Sequence, residues 1–224
     1  MGRKSSGETM QNYLKVIFSL TIEMGRDYAK TSDIARILGV APSSVTEMLR
    51  KLAQKGLVDY TQRKGVRLND SSMELAISLI RRYRLAELLL FKIIGLDLTS
   101  ATEIACKLEH IMTDKMEEKT IELLNNPEKC PHGNYIPYGF KDVGKIIKRG
   151  NLLSEVEEKG HFRVIKVFDI NPNLLRIVTR LNILPGTIIN VIDIFPERNL
   201  LIEINGNEHV ISPQIAATIV VERI

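Results

Sequence analysis

The chain has 224 residues, room for one large domain or two to three small ones at roughly 100–200 residues each. Hydrophobic residues make up 44% and charged residues 26%, a mixture that excludes wholesale disorder, and no apolar run reaches the roughly 18 residues of a membrane span. The net charge of +4 is uneven: residues 1–72 carry 12 Lys/Arg against 7 Asp/Glu, residues 73–149 carry 12 against 11, and residues 150–224 carry 7 against 9, so a polyanion partner is expected at the first third.

Residues 9–24 read as a helix, with Thr9 as N-cap and a stripe of Tyr13, Val16, Ile17 and Leu20. Residues 31–38 form a short helix stopped by Gly39. In the run from Val40 to Leu52, Ser44 and Glu47 stand at capping-box spacing and Val45, Met48, Leu49 and Leu52 keep the helical period; Gly56 ends it. Residues 57–60 and 66–68 are short strands around a basic turn, Thr61-Gln62-Arg63-Lys64-Gly65. This order is that of a winged helix-turn-helix. Periodicity exposes Ser43, Ser44, Thr46, Arg50, Lys51 and Gln54 on its recognition helix. The short hydroxyls suit a major groove or phosphates, and Arg50 and Lys51, with Arg63, Lys64 and Arg67 of the wing, suit the DNA backbone. A merely solvated helix face is the competing reading.

Residues 73–94 form a long apolar helix closed by Gly95, with more apolar positions than one stripe needs, which fits a core or a dimer interface. Glu87 within it requires a partner, because an unpaired buried charge is costly; Arg84 is the plain one. Residues 99–125 read as one further helix, with Ser100 and Glu103 at capping-box spacing. On it Cys106, Glu109 and His110 fall at i, i+3, i+4, opposite Ile104, Ala105, Leu108, Ile111 and Met112. A thiol, a carboxylate and an imidazole within one turn can chelate a borderline divalent cation, or be a solvated face. Residues 126–150, rich in Pro and Gly, read as a linker holding Cys130-Pro131-His132-Gly133, whose Cys-x-His can place two donors on one ion or lie in an ordinary exposed loop. From Phe162 onward the runs 164–167, 188–192, 200–204 and 218–221 are β-rich, with turns at Pro185-Gly186 and Asn205-Gly206-Asn207 and a helix near 173–181, as in a small β-barrel.

Two cysteines are too few for a disulfide framework, and Met1–Lys15 has no apolar stretch followed by a cleavage site; a cytoplasmic protein with reduced thiols is expected. No enzyme template is present: there is no H-E-x-x-H, G-x-S-x-G, P-loop or G-x-G-x-x-G after a strand. The chain reads as a non-enzyme, with a metal-dependent enzyme as the distant alternative.

Five groups of residues, in this order and at these separations, carry a resemblance. They are Tyr13-Leu14; Ala41-Pro42-Ser43-Ser44-Val45-Thr46; Arg84-Leu85-Ala86-Glu87 followed by Ile93-Ile94-Gly95-Leu96-Asp97; Ala105-Cys106 with Glu109-His110; and Cys130-Pro131-His132-Gly133-Asn134. Together they resemble the iron-dependent regulators of the diphtheria toxin repressor type and their manganese-sensing relatives. The resemblance implies an α+β chain: a winged helix-turn-helix over 1–72, a helical dimerisation and metal-binding domain with linker over 73–149, and an SH3-like (FeoA-like) barrel over 150–224. It implies a homodimeric, metal-activated repressor of metal-uptake genes on a pseudo-palindromic double-stranded DNA operator. The primary metal site falls on Asn12, Cys106, Glu109 and His110, with Asn12 where a methionine or aspartate is usual. The two histidines of the family's ancillary site correspond to Tyr83 and Thr102, leaving Glu87. A second site of the kind some relatives build would be Glu87, Cys130, His132 and Asp169. Cys106, softer than the carboxylate of manganese sensors, favours Fe²⁺ over Mn²⁺, with Co²⁺, Ni²⁺ and Zn²⁺ also binding in vitro.

Overall fold

The structure is a computed structural model and describes residues 6–146 and 150–224. Two compact units share the chain. One gathers the residues up to Ala86 with Ile104–Glu128 and the segment from Ile136; the other gathers Glu87–Glu103, Lys129–Tyr135 and the C-terminal third.

In the first unit, helix α1 (Ser6–Phe18) buries Tyr13, Leu14, Ile17 and Phe18. Thr9 lies within this helix and does not cap it, because the helix already runs from Ser6. The next turn, Ser19–Glu23, widens to a π-helix, with Met24 N–H bonding Ser19 O at 3.0 Å. The extra residue turns Glu23 inward: its carboxylate is fully buried, accepts from Ser19 Oγ at 2.6 Å and meets the equally buried Arg84 at 2.6 Å. Helix α2 (Thr31–Leu38) ends at Gly39 in the left-handed region. Helix α3 (Pro42–Gln54) starts on Pro42, whose ring supplies the first helical φ. The expected Ser44–Glu47 capping box does not form: Ser44 is already inside the helix, and Glu47 reaches forward to Lys51.

Strands β1 (Val58–Thr61) and β2 (Gly65–Leu68) pair antiparallel, Val58 opposite Leu68 and Thr61 opposite Gly65, and Val66 also bridges to Ala29. A Cβ at Gly65 (φ +116°) would stand 2.5 Å from the Ala29 carbonyl oxygen, so only glycine closes the wing there. Helix α4 (Asp70–Lys92) starts three residues earlier than periodicity suggests, because Asn69 Oδ1 accepts from Ser72 N–H at 3.1 Å and caps it.

The single helix expected over 99–125 is two, α5 (Leu98–Leu108) and α6 (Asp114–Leu123). Thr113 is extended and its hydroxyl accepts from Met116 N–H at 3.3 Å, a cap that starts a new helix. The Ser100–Glu103 box is also absent. Asp97 caps α5 by accepting from Ser100 N–H at 3.0 Å, the Ser100 hydrogen bonds hold its carboxyl below the usual range, and Glu103 pairs instead with Arg176. The segment over 126–146 holds only a 3₁₀ turn (Phe140–Asp142) and the short α7 (Val143–Ile146).

The second unit carries a six-stranded antiparallel sheet in the order β3-β8-β4-β5-β6-β7. Its strands are β3 (Asn151–Leu152), β4 (Gly160–Val167), β5 (Ile188–Ile194), β6 (Leu200–Ile204), β7 (Asn207–Ile211) and β8 (Ile219–Arg223). Helices α8 (Pro172–Arg180), capped by Asn171, and α9 (Pro213–Ala216) interrupt them. Phe162, Val164, Ile189, Val191, Ile202, Ile204, Ile211, Ile219 and Val221 all join one core with Leu175 and Val178 of α8. Alternate residues of five strands facing one core is how a small barrel fills itself. Register shifts at Val164/Lys166 and Val191/Asp193 supply the bends.

Removing one member of the Glu23–Arg84 pair strands a buried charge. Arg84→Leu is expected to cost about 3–5 kcal/mol in equilibrium urea unfolding, and Glu23→Leu/Arg84→Leu clearly less. Equal losses in the single and double variants would refute the pairing.

Candidate metal centre

Residues 130–133 form a β-turn: Gly133 N–H bonds Cys130 O at 2.9 Å, Pro131 sits at the second position, and Cys130 N–H bonds Asn134 O at 2.9 Å. The loop is stitched to the end of β4. Val167 N–H donates to His132 O at 2.9 Å, and Asn134 Nδ2 donates to Val167 O at 2.7 Å. Gly133 has φ +81°, and a Cβ there would stand 2.7 Å from Ile165 O.

This turn aims two side chains at α4. Glu87, Cys130 and His132 are all buried, and one ligand atom from each lies within 4.8 Å of the others. Glu87 Oε2 is 3.1 Å from His132 Nδ1, and the Thr102 hydroxyl of α5 lies 2.7 Å from Glu87 Oε1. Among the described residues this is the one group of three or more His, Cys, Asp or Glu so gathered. A thiol, an imidazole and a carboxylate brought together away from water fit a borderline divalent cation. Arg84, the plain partner for Glu87, meets Glu23 at 2.6 Å. Asp169, the fourth residue expected here, is half-buried and lies outside the gathered group.

Cys106, Glu109 and His110 are arranged differently. Cys106 is half-buried in the last turn of α5, while Glu109 and His110 lie in the turn after it. A solvated face is ruled out, because Glu109 is 1% exposed, whereas Ile104 and Ile111, placed inside by the helical count, are 42% and 68% exposed. The helix ends at Leu108, so 100° per residue stops applying there. His110 Nε2 stands 3.3 Å from Glu109 Oε1. Two side chains of α1, four residues apart, cover the pair: Lys15 Nζ donates to both Glu109 oxygens at 2.7 Å, and Gln11 Oε1 lies 2.5 Å from His110 Nδ1. Gln11 contacts His110 from α1, and Asn12, the residue expected from the sequence, is the next one along the helix and half-buried.

On the winged helix, Ser43, Ser44, Arg50, Lys51, Gln54, Arg63, Lys64 and Arg67 are exposed. Thr46 is half-buried and its hydroxyl bonds Pro42 O at 3.0 Å. Lys51 meets Glu47 at 2.6 Å and holds its carboxyl below the usual range; Arg67 meets Asp59 at 3.1 Å and stacks over Tyr28 at 5.6 Å. Arg50, Arg63 and Lys64 complete the cationic face.

Three family models match the chain. Residues 6–66 match the iron dependent repressor N-terminal DNA binding domain, residues 70–138 its metal binding and dimerisation domain, and residues 151–223 the FeoA domain. The diphtheria toxin repressor of Corynebacterium efficiens is 33% identical over 137 residues, 61% of this chain and 58% of that protein. The match thus spans less than two thirds of the length of that relative. The iron-dependent repressor IdeR of Mycobacterium leprae is 28% identical over 97% of this chain and 98% of its own. Solved structures of ScaR match as well. The zinc-bound form is 30% identical over 96% of this chain and 99% of that one, with a TM-score of 0.76, and the apo form is described as a manganese-activated repressor. No helix among the described residues is long and apolar enough to cross a membrane.

The close approach of Gly133 to β4 makes the turn sensitive to one methyl group. Gly133→Ala is expected to open it at a cost of about 1–3 kcal/mol, and in a Cys106→Ser background to speed thiol labelling of the buried Cys130 roughly tenfold or more. Unchanged labelling would show that the turn tolerates a Cβ.

Proposed function

This chain belongs to the iron-dependent repressor family, and from that membership we propose that it is a cytoplasmic, homodimeric transcriptional repressor whose DNA binding is switched on by a divalent metal, Fe²⁺ by preference. What carries the reading is the presence in one chain of an exposed basic helix-turn-helix and a buried Glu–Cys–His ligand set.

Ser43, Ser44 and Thr46 at the start of α3 approach base edges and Gln54 extends the same face, while Arg50, Lys51, Arg63, Lys64 and Arg67 contact phosphates. Two copies bind half-sites of a pseudo-palindromic operator about one turn apart, or multiples of it. Exposed Phe91 in the last turn of α4, Ile93 and Ile94 just after it, and Ile104 and Ile111 around α5 offer apolar surface for pairing. Cys106, Glu109 and His110, with an amide oxygen of α1 from Asn12 or Gln11, hold the activating ion. Ligands on both segments tie α1 to the turn after α5 and fix the recognition helix for DNA. Metal favours that arrangement only as far as it binds it more tightly than the alternatives. Glu87, Cys130 and His132 hold a second ion, with Asp169 as the fourth ligand if the loop after β4 closes. Bound there, the ion supplies stability by linkage.

A manganese-responsive regulator is the second reading, favoured by the likeness to manganese-activated ScaR. Against it stands the Cys106 thiol, a softer donor than Mn²⁺ prefers. Footprinting on genomic DNA with anaerobic Fe²⁺, with Mn²⁺ and with chelator tests both. Protection is expected at lower free Fe²⁺ than Mn²⁺, lost with chelator and lost in His110→Ala at limiting metal; protection unchanged by chelator would sink the metal-activated reading. For the second site, Cys130→Ser/His132→Ala is expected to bind one ion fewer per chain than wild type, read by metal analysis after dialysis. Equal stoichiometry would remove that site.

A further inference from the structure

Lys15 has no part in the ligand sets read from the sequence, yet it contacts one of them directly. Its ammonium donates to both oxygens of Glu109 at 2.7 Å, and that carboxylate is fully buried. The lysine itself is mostly withdrawn from water, its side chain 15% exposed, and its Nζ also stands 4.4 Å from the centre of the Tyr83 ring. An ammonium that bridges a buried carboxylate and faces an aromatic ring is held by charge, by hydrogen bonds and by the ring quadrupole together. Gln11, one helical turn earlier on α1, contacts His110 through its neutral amide oxygen, 2.5 Å from Nδ1. Side chains of α1 thus reach both Glu109 and His110.

We propose that Lys15 is a tethered cation that competes with the activating metal for Glu109, and so sets the metal concentration at which the Cys106, Glu109, His110 site fills. The inference rests on the metal-activated reading above and deepens it. A divalent ion on Glu109 draws on the same two carboxylate oxygens that Lys15 now holds. Two cations a few ångströms apart also repel strongly where water is scarce. The ammonium therefore leaves when the ion enters, and its contacts with Glu109 are lost in the exchange. Without an ion, the same ammonium spares Glu109 the penalty of a buried, uncompensated charge. The site passes between two neutralised states and rejects the ion until its activity overcomes the lysine.

The test isolates this site in full-length Cys130→Ser/His132→Ala protein, with Co²⁺ as probe in titration calorimetry. Lys15→Met, which removes the charge and keeps the length, is expected to tighten Co²⁺ binding roughly ten- to a hundredfold, the size of a lost charge-assisted hydrogen bond. Lys15→Gln, which keeps one donor, should fall between and guards against a folding defect. Melting temperature gives an independent readout: Lys15→Met should melt lower without Co²⁺ and gain more than the parent when Co²⁺ is added. Equal or weaker Co²⁺ binding in both lysine variants overturns the proposal. Cys106→Ser, made alongside, separates it from the underlying reading. If Cys106→Ser weakens Co²⁺ and the lysine variants change nothing, the site stands and the competition falls. If Cys106→Ser changes nothing, the ion is not at this site and both fall.

Discussion

A carboxylate taken out of water has to meet a cation or a set of donors, and this constraint organises the helices. Among the described residues four glutamates are buried: Glu23, Glu87, Glu109 and Glu117. Each draws its partner from a different segment. Glu23 in the π-turn meets Arg84 of α4, Glu109 meets Lys15 of α1, Glu117 of α6 meets Arg81 and Arg82 of α4, and Glu87 of α4 meets Thr102 of α5 and His132 of the turn. Apolar packing alone would let these helices slide by a turn with little loss. Charge pairs in low dielectric do not, since a slip leaves a buried ion unmatched.

The same constraint separates what the sequence reveals from what it hides. Helix α2 and the wing were legible because Gly39, Pro42, Gly56 and Gly65 punctuate them with conformations few other residues adopt. The break between α5 and α6 was not, since Ile111 and Met112 extend the apolar pattern through it and Thr113 looks like any other threonine until it caps. Strand β7 was missed too. Asn-Glu-His-Val-Ile at a sheet edge has one buried side chain, and so no alternation to read.

The Glu87, Cys130 and His132 grouping was nominated by family resemblance and is visible as geometry, but no spacing rule joins residues 45 apart. Nothing in the spacing points to Gln11 or Lys15, and Thr102, standing where the ancillary site has a histidine, shows no sign in the sequence of its hydroxyl's bond to Glu87. A signal for Lys15 did exist: it is the one charge in Tyr13-Leu14-Lys15-Val16-Ile17-Phe18, and a charge in so apolar a stretch needs a partner just as Glu87 does.

The separations along the chain have a consequence for how the protein is made. Glu23 leaves the ribosome 61 residues before Arg84, and Lys15 leaves it 94 residues before Glu109. The helix-turn-helix and wing close on contacts within the first 68 residues. The nascent chain thus gains a folded reading head early, while Lys15 of α1 lacks Glu109 until translation has passed α5. Only then does the start of the protein acquire its final partners.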